Sequence, residues 1–275
     1  MPPSETPPAS PSGTPDGPSG PRGTRPAGAE PPVRSAAVWA ALDPLIHSGP
    51  LQVLDVGGGA GVFAVPLAQL GHRVTVVDTS ADALATLRRR ADLAGVGDLV
   101  HGVQGDADQL AAVLADDTLD APAAGYDLVL VHSVLEVVDD PAATLAGIAA
   151  ALRPGGRLSV TAANRAGAVL ARALGGHPVE ARALLGDRDP APSRSRTRPA
   201  RRRYSPDELL ALVRDAGLQA GEWRGVSVVA DLLESTSGAD PAALRALELQ
   251  LASTSPYRDV ATGLHLLASR GAGPA

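Results

Sequence analysis

Residues Leu51–Asp78 read LQVLDVGGGAGVFAVPLAQLGHRVTVVD, and no other stretch restricts the fold as much. Leu51–Val56 is an apolar, β-branched run that ends in glycines. Val62–Leu70 has helical spacing, and Arg73–Val77 is a second apolar run closed by Asp78. The same alternation continues downstream. Ser80 can cap a helix that passes through Arg88–Arg90 and stops near Gly95. Val100–Gln104 is a weaker strand, Gln109–Leu114 a short helix, and Tyr126–Val131 (YDLVLV) a strong buried strand. Pro141–Leu152 is helical, Arg153–Gly156 (RPGG) has the composition of a turn, and Arg157–Thr161 is a fifth strand. Strands this apolar, alternating with helices, belong in a parallel sheet covered on both faces.

On either side of this region the pattern is looser. Val33–Ile46 reads as a helix with Val33, Ala37, Ala41 and Leu45 on one face. Past Asn164 a short helical piece, Ala166–Leu174, leads into a Gly-, Pro- and Arg-rich segment. Regular structure resumes at SPDEL, where Ser205 as N-cap, Pro206 in the first helical position and Glu208 three residues after the cap form a capping box. That helix ends near Gly217, and a strand at Val226–Ala230, a helix at Pro241–Leu251 and a strand at Leu264–Ala268 follow.

Residues 1–32 hold eleven of the 25 prolines and almost nothing apolar to bury, so a disordered tail is expected there, and residues 271–275 are expected to be disordered as well. The tail has no apolar signal-peptide core, and no apolar run approaches the ~18 residues of a membrane span. These features point to a soluble, cytoplasmic protein that does not engage a membrane. Cysteine is absent, which excludes disulfides, thiolate catalysis and Cys-ligated zinc, and no metal site is expected. The net charge of -6 argues against broad, steered nucleic-acid binding.

A strand, a glycine turn and a strand-end acid form the usual cradle for an adenosine-bearing ligand, and the glycines admit two registers. Gly59-Ala60-Gly61-Val62-Phe63-Ala64 fits the dinucleotide pattern G-x-G-x-x-A, which would suit a nicotinamide-dependent oxidoreductase. That register leaves Gly57 and Gly58 between the strand and its first glycine. The alternative register, Gly57-x-Gly59-x-Gly61 with Asp55 two residues ahead, meets the strand directly. In this form, LDVGGGAG resembles the first motif of the class I S-adenosylmethionine (AdoMet) methyltransferases. GDAD after the third strand, YDLVLVHSVLEVVDDP and LRPGGRLSV resemble the family's later blocks in the same order. The resemblance implies an α/β fold: a doubly wound, mostly parallel seven-stranded Rossmann-like sheet with an antiparallel last strand. It also implies AdoMet as cofactor and one domain over residues 33–270.

Within that family the chain is similar to the bacterial tRNA wobble carboxymethoxyuridine methyltransferases, which esterify the carboxylate of a modified base. The similarity runs from Arg34 and Trp39 through GHRVTVVDTSA, VHSVLEVVDDP, Asn164 and GVSVVADLL to SPY at residues 255–257. It implies cofactor contacts from Arg34, Gly57, Gly58, Asp78, Asp106, Ala107 and His132, with Gly59 and Gly61 completing the loop. Arg34 would pair with the methionyl carboxylate and Asp78 with the ribose diol. Asp55 would either touch the cofactor or accept N–H groups of the turn. The chain departs from the subgroup where Val137 and Ala163 stand in place of aromatic residues.

Methyl transfer by direct displacement needs alignment more than covalent catalysis, and a carboxylate acceptor needs no base. For an amine or hydroxyl acceptor, His132 and then Glu136 are the candidate bases. An Arg-rich insertion at about 186–203 carries six arginines between Arg194 and Arg203. Arg201, Arg202 and Arg203, with Asn164, are the candidate substrate contacts, and the segment could grip tRNA phosphates. A metabolite methyltransferase and a non-catalytic AdoMet-binding protein remain as alternatives, and no motif specifies an oligomeric state.

Overall fold

The computed structural model describes residues 32–116, 121–186, 201–233 and 240–272. Most of the expected N-terminal tail, residues 187–200 of the insertion and residues 273–275 lie outside the described residues. Seven strands, β1 (Gln52–Val56), β2 (Arg73–Asp78), β3 (Val100–Gln104), β4 (Tyr126–His132), β5 (Leu152–Ala163), β6 (Leu218–Val226) and β7 (Gly263–Arg270), make one sheet in the order β3-β2-β1-β4-β5-β7-β6. β1 to β5 pair in parallel, and β7 runs antiparallel to both β5 and β6. The doubly wound sheet with an antiparallel last strand is thus the observed architecture.

The helices among the described residues are α1 (Ala36–Ile46), α2 (Ala64–Gln69), α3 (Ala81–Leu93), α4 (Leu110–Leu114), α5 (Pro141–Ala151), α6 (Arg165–Leu174), α7 (Pro178–Gly186), α8 (Pro206–Asp215) and α9 (Pro241–Leu251). Alternate residues along each strand feed two cores. Val53, Leu128 and Leu130 join Leu42 of α1, Leu67 of α2 and Leu87 of α3. Leu54, Val129 and Val131 join Ile148 of α5 and Val213 of α8 on the other face. The capping box is present, with Ser205 Oγ accepting the Glu208 N–H at 3.2 Å and Glu208 Oε2 accepting the Ser205 N–H at 2.8 Å.

Three expectations change. The N-terminal helix begins with a 3-10 turn, Val33–Ser35, and α1 buries far more than one stripe, because Ala36, Val38, Trp39, Leu42 and Ile46 are buried along with Ala37 and Ala41. The RPGG turn lies inside β5 as a bulge, where pairing jumps from Tyr126↔Leu152 to Leu128↔Arg157 and Gly155 takes φ +75°. Of the strand expected at Val226–Ala230 only Val226 is in a strand, as the last residue of β6, and residues 227–230 form a loop. Ser227 has φ +55°, and the next three N–H groups donate to one carboxylate: Glu248 Oε2 accepts from Val228 at 2.9 Å, and Oε1 from Val229 at 2.8 Å and Ala230 at 2.6 Å. An apolar run whose amides converge on one acceptor cannot also pair with a neighbouring strand.

Glu248 is only 1 % exposed, so its removal strands three donors, two of them on the buried Val228 and Ala230. Glu248→Ala is expected to cost about 3 kcal/mol or more, and Glu248→Gln, which keeps one acceptor oxygen, is expected to cost less. Urea unfolding of the two variants against the parent chain measures both.

Candidate active site

In the sheet order, the connections change direction between β1 and β4, and the carboxyl ends of β1 to β4 share one edge. Ligands of open α/β sheets bind at such a switch point. The edge carries Gly57 after β1, Asp78 closing β2, Asp106 two residues beyond β3 and His132 closing β4.

The glycine turn is built against this edge. Gly57 N–H donates to Val77 O at 2.7 Å, extending the β1–β2 ladder past the strand, and its φ is +71°. A Cβ there would lie 2.4 Å from Val134 Cγ2, and a Cβ on Gly58 would lie 2.5 Å from the Asp55 carboxylate. Gly59 N–H donates to Asp78 Oδ2 at 2.9 Å, and the other oxygen, Oδ1, accepts the Ser80 N–H at 2.9 Å. Gly61 N–H closes the turn on Gly58 O at 3.0 Å, and Arg90 Nη1 donates to Ala60 O at 2.8 Å. Asp78, not Asp55, therefore accepts the turn amide. Asp55 lies beneath Gly58 at 2 % exposure, and burial, then the nearby Asp78 charge, push its pKa up from the ordinary 3.8 to about 7.

His132 is held by its neighbours in the sheet. Its Nε2 shares a 2.9 Å hydrogen bond with Ser159 Oγ, which sits 3.0 Å from Nε2 of the buried His265. Burial pushes both histidine pKa values down to about 3, so both rings are neutral at physiological pH. The His132 ring meets Phe63 edge-on at 4.5 Å, and Phe63 stacks on Trp39 at 4.9 Å; the His132 Nδ1 is buried and, among the described residues, has no hydrogen-bond partner. Glu136 is 4 % exposed, and its Oε1 accepts the Ala163 N–H at 2.7 Å; burial raises its pKa.

The remaining expected residues divide. Asp106 is exposed and caps a turn through the Asp108 N–H at 3.1 Å, with Ala107 half-buried beside it. Arg34 lies in the 3-10 turn ahead of α1 and pairs with Asp231 at 2.9 Å. Asn164 is fully buried: its Oδ1 caps α6 and its Nδ2 donates to Asp259 O at 3.0 Å and Ala261 O at 2.8 Å, so it braces the fold instead of facing a substrate. Arg202 donates to Val138 O and, at 3.0 Å, to Asp139 O, while Arg201 is exposed and Arg203 half-buried. Sequence reasoning missed Phe63, Ser159, His265, Arg90 and Asp231. Phe63 carried a signal as the single Phe of the chain two residues past the motif, and Asp231 lay within the GVSVVADLL block.

These residues fit AdoMet. Side chains at Gly57 and Gly58 would collide with the protein, so the turn presents bare backbone, and each Asp78 oxygen uses one lone pair on an amide and keeps another for a hydroxyl donor. Among the described residues no cluster of three or more His, Asp or Glu side chains could hold a metal ion, and no helix is long and apolar enough to cross a membrane.

Comparison with known proteins agrees. The family model described as "Methyltransferase domain" matches residues 33–221. The tRNA 5-carboxymethoxyuridine methyltransferase of Escherichia coli K12 is 30% identical over 243 residues, covering 86% of this chain and 88% of that one. The ubiquinone biosynthesis O-methyltransferase of Xanthomonas axonopodis pv. citri is 32% identical, covering 71% of this chain and 72% of that one. An S-adenosylmethionine-dependent methyltransferase structure from Mesorhizobium loti superposes with a TM-score of 0.56 at 20% identity, over 86% of this chain and 100% of that one. The chain belongs to the methyltransferase domain family and is an AdoMet-dependent methyltransferase.

The raised Asp55 pKa has a sign for stability. The folded state binds this proton more tightly than the unfolded chain, so the contribution is full below about pH 4 and is lost as pH rises through about 7. At ~1.4 kcal/mol per pKa unit, the loss approaches about 4 kcal/mol. Asp55→Asn is expected to flatten the stability profile in that window, as read from urea midpoints at pH 5 and pH 7.5.

Proposed function

We propose that the methyl acceptor is a carboxylate on a modified uridine at the wobble position of tRNA, gripped through the arginine-rich segment. The observation that carries this reading is the anchoring of that segment's C-terminal end. Arg202 N–H donates to Glu136 O at 3.0 Å, Tyr204 N–H to Ala163 O at 2.9 Å, and the Tyr204 hydroxyl to Leu135 O at 2.7 Å. Arg165 Nη2 adds a bond to Arg203 O at 2.9 Å. Residues 202–204 are thereby fastened to the loop after β4 and to the end of β5.

The chemistry agrees with an anionic acceptor. AdoMet supplies an electrophilic methyl on a sulfonium. The Gly57–Gly61 backbone and Asp78 would hold it, and the Phe63 and His132 rings exclude water nearby. Neither candidate base is poised for proton abstraction. His132 has its Nε2 committed to Ser159 and a pKa near 3, and Glu136 has one oxygen committed to Ala163 N–H. A carboxylate acceptor is already a nucleophile and needs neither. A tRNA substrate implies a cytoplasmic enzyme.

A second reading, a small metabolite acceptor, draws on Val137, which is 53% exposed where the subgroup has an aromatic for stacking. Replacing Arg194, Arg196 and Arg198 by Gln separates the two. On the tRNA reading, tRNA affinity falls at least tenfold and its salt dependence weakens, while S-adenosylhomocysteine affinity is unchanged. Mass spectrometry of tRNA nucleosides from a deletion strain is expected to show loss of a wobble-uridine methyl ester, and an unchanged nucleoside profile would favour the metabolite.

A further inference from the structure

We propose that Asp231 is the positioning residue for Arg34, holding its guanidinium over the carboxyl edge of the sheet so that its two terminal amino groups are free to grip a ligand carboxylate. The proposal deepens the cofactor reading and rests on it, since the carboxylate in question is that of an amino-acid tail such as the methionyl part of AdoMet.

The geometry places the pair at the correct edge. Arg34 Nε meets Asp231 Oδ1 at 2.9 Å, and the Arg34 side chain is 70% exposed. Among the described residues Nη1 and Nη2 make no hydrogen bond, so the pairing uses the inner nitrogen of the fork and leaves the outer face unspent. Asp231 follows the end of β6 and Thr262 precedes β7. β6 runs parallel to β1–β5 and β7 runs against them, so both residues lie on the edge that carries Gly57, Asp78 and His132. Five residues beyond Arg34, Trp39 stacks on Phe63, which follows the glycine turn.

Asp231 is itself fixed. Its Oδ2 accepts the Thr262 hydroxyl at 2.6 Å, and the loop that carries it is held by the three amide bonds to Glu248. Ser227 in that loop donates its hydroxyl to Arg34 O at 3.2 Å, so the backbone and the side chain of Arg34 are both located by one loop. An exposed arginine otherwise loses several rotamers on binding, and prior restraint by a counter-ion lowers that cost.

Calorimetry with two probes tests this. S-adenosylhomocysteine carries the amino-acid carboxylate, and 5′-deoxy-5′-methylthioadenosine lacks the amino-acid tail altogether. Asp231→Asn is expected to weaken S-adenosylhomocysteine about tenfold, the scale of a charged hydrogen bond, and to leave methylthioadenosine within twofold. Arg34→Gln is expected to do the same, and the double variant to be no weaker than Arg34→Gln alone. Thr262→Val, which frees Asp231 without removing its charge, is expected to give a smaller loss confined to S-adenosylhomocysteine. An unchanged affinity in Asp231→Asn, an equal loss for both probes, or additive losses in the double variant would overturn the proposal. A parent chain that binds neither probe would overturn the cofactor reading along with it.

Discussion

The carboxylate of Asp78 is the joint on which the carboxyl edge depends. One oxygen takes the Gly59 amide and the other the Ser80 amide, so a single side chain fixes the turn after β1 and the entry to α3. Each bond is charge-assisted, which roughly doubles its strength over a neutral one. The turn has little else to hold it, because its glycines lack side chains to pack. Arg90 supplies a second tie from α3 through the Ala60 carbonyl, so α3 braces the turn at both its N-terminal end and its last turn. The acid that ends β2 thus shapes the site before any ligand arrives.

Beneath that edge the protein avoids fixed positive charge. His132 and His265 are buried deeply enough to stay neutral, and Ser159 links them across β4, β5 and β7. A protonated imidazole there would repel a sulfonium, and burial removes the proton. Asp55 shows the complementary effect. Burial first, and the nearby Asp78 charge second, disfavour its ionised form, so Asp55 keeps its proton well above the usual carboxylate range. Burial therefore sets the electrostatics of the floor, and the half-buried acid, Asp78, remains the hydrogen-bonding group.

The N-terminal half of the fold was legible because its signals are local. β1, β2 and β4 carry strong apolar runs, the turns are marked by Gly or an N-cap, and the site residues lie at strand ends or within two positions of them. The C-terminal half was not legible in the same way. GVSVVA has strand composition, yet Glu248 on α9 gathers its amides into a loop, and nothing within the run announces a partner some twenty residues away. The strand that does form, β6, contains Gly221 and Gly225 and owes its existence to pairing with β7. Asp55 and Asp78 show the same limit on a smaller scale. Spacing offered Asp55 as a partner for the turn amides and Asp78 as the ribose acid, and the geometry gives the turn amide to Asp78.

The edge beyond β4 and β5 is dispersed further still. The end of β4, the end of β5 and residues 201–204 are separated by some thirty to seventy positions, and main-chain bonds such as Arg202 to Glu136 bring them together. Main-chain contacts carry no residue signature, so a sequence motif cannot report them. This also explains how Val137 and Ala163 can replace aromatic residues without unsettling the fold. Ala163 contributes its backbone, an N–H to Glu136 and a carbonyl to Tyr204, and Val137 projects 53% exposed. The framework that joins these segments is held by backbone bonds. Among relatives of this chain one domain family serves both a tRNA 5-carboxymethoxyuridine methyltransferase and a ubiquinone biosynthesis O-methyltransferase, so fold alone does not choose the acceptor.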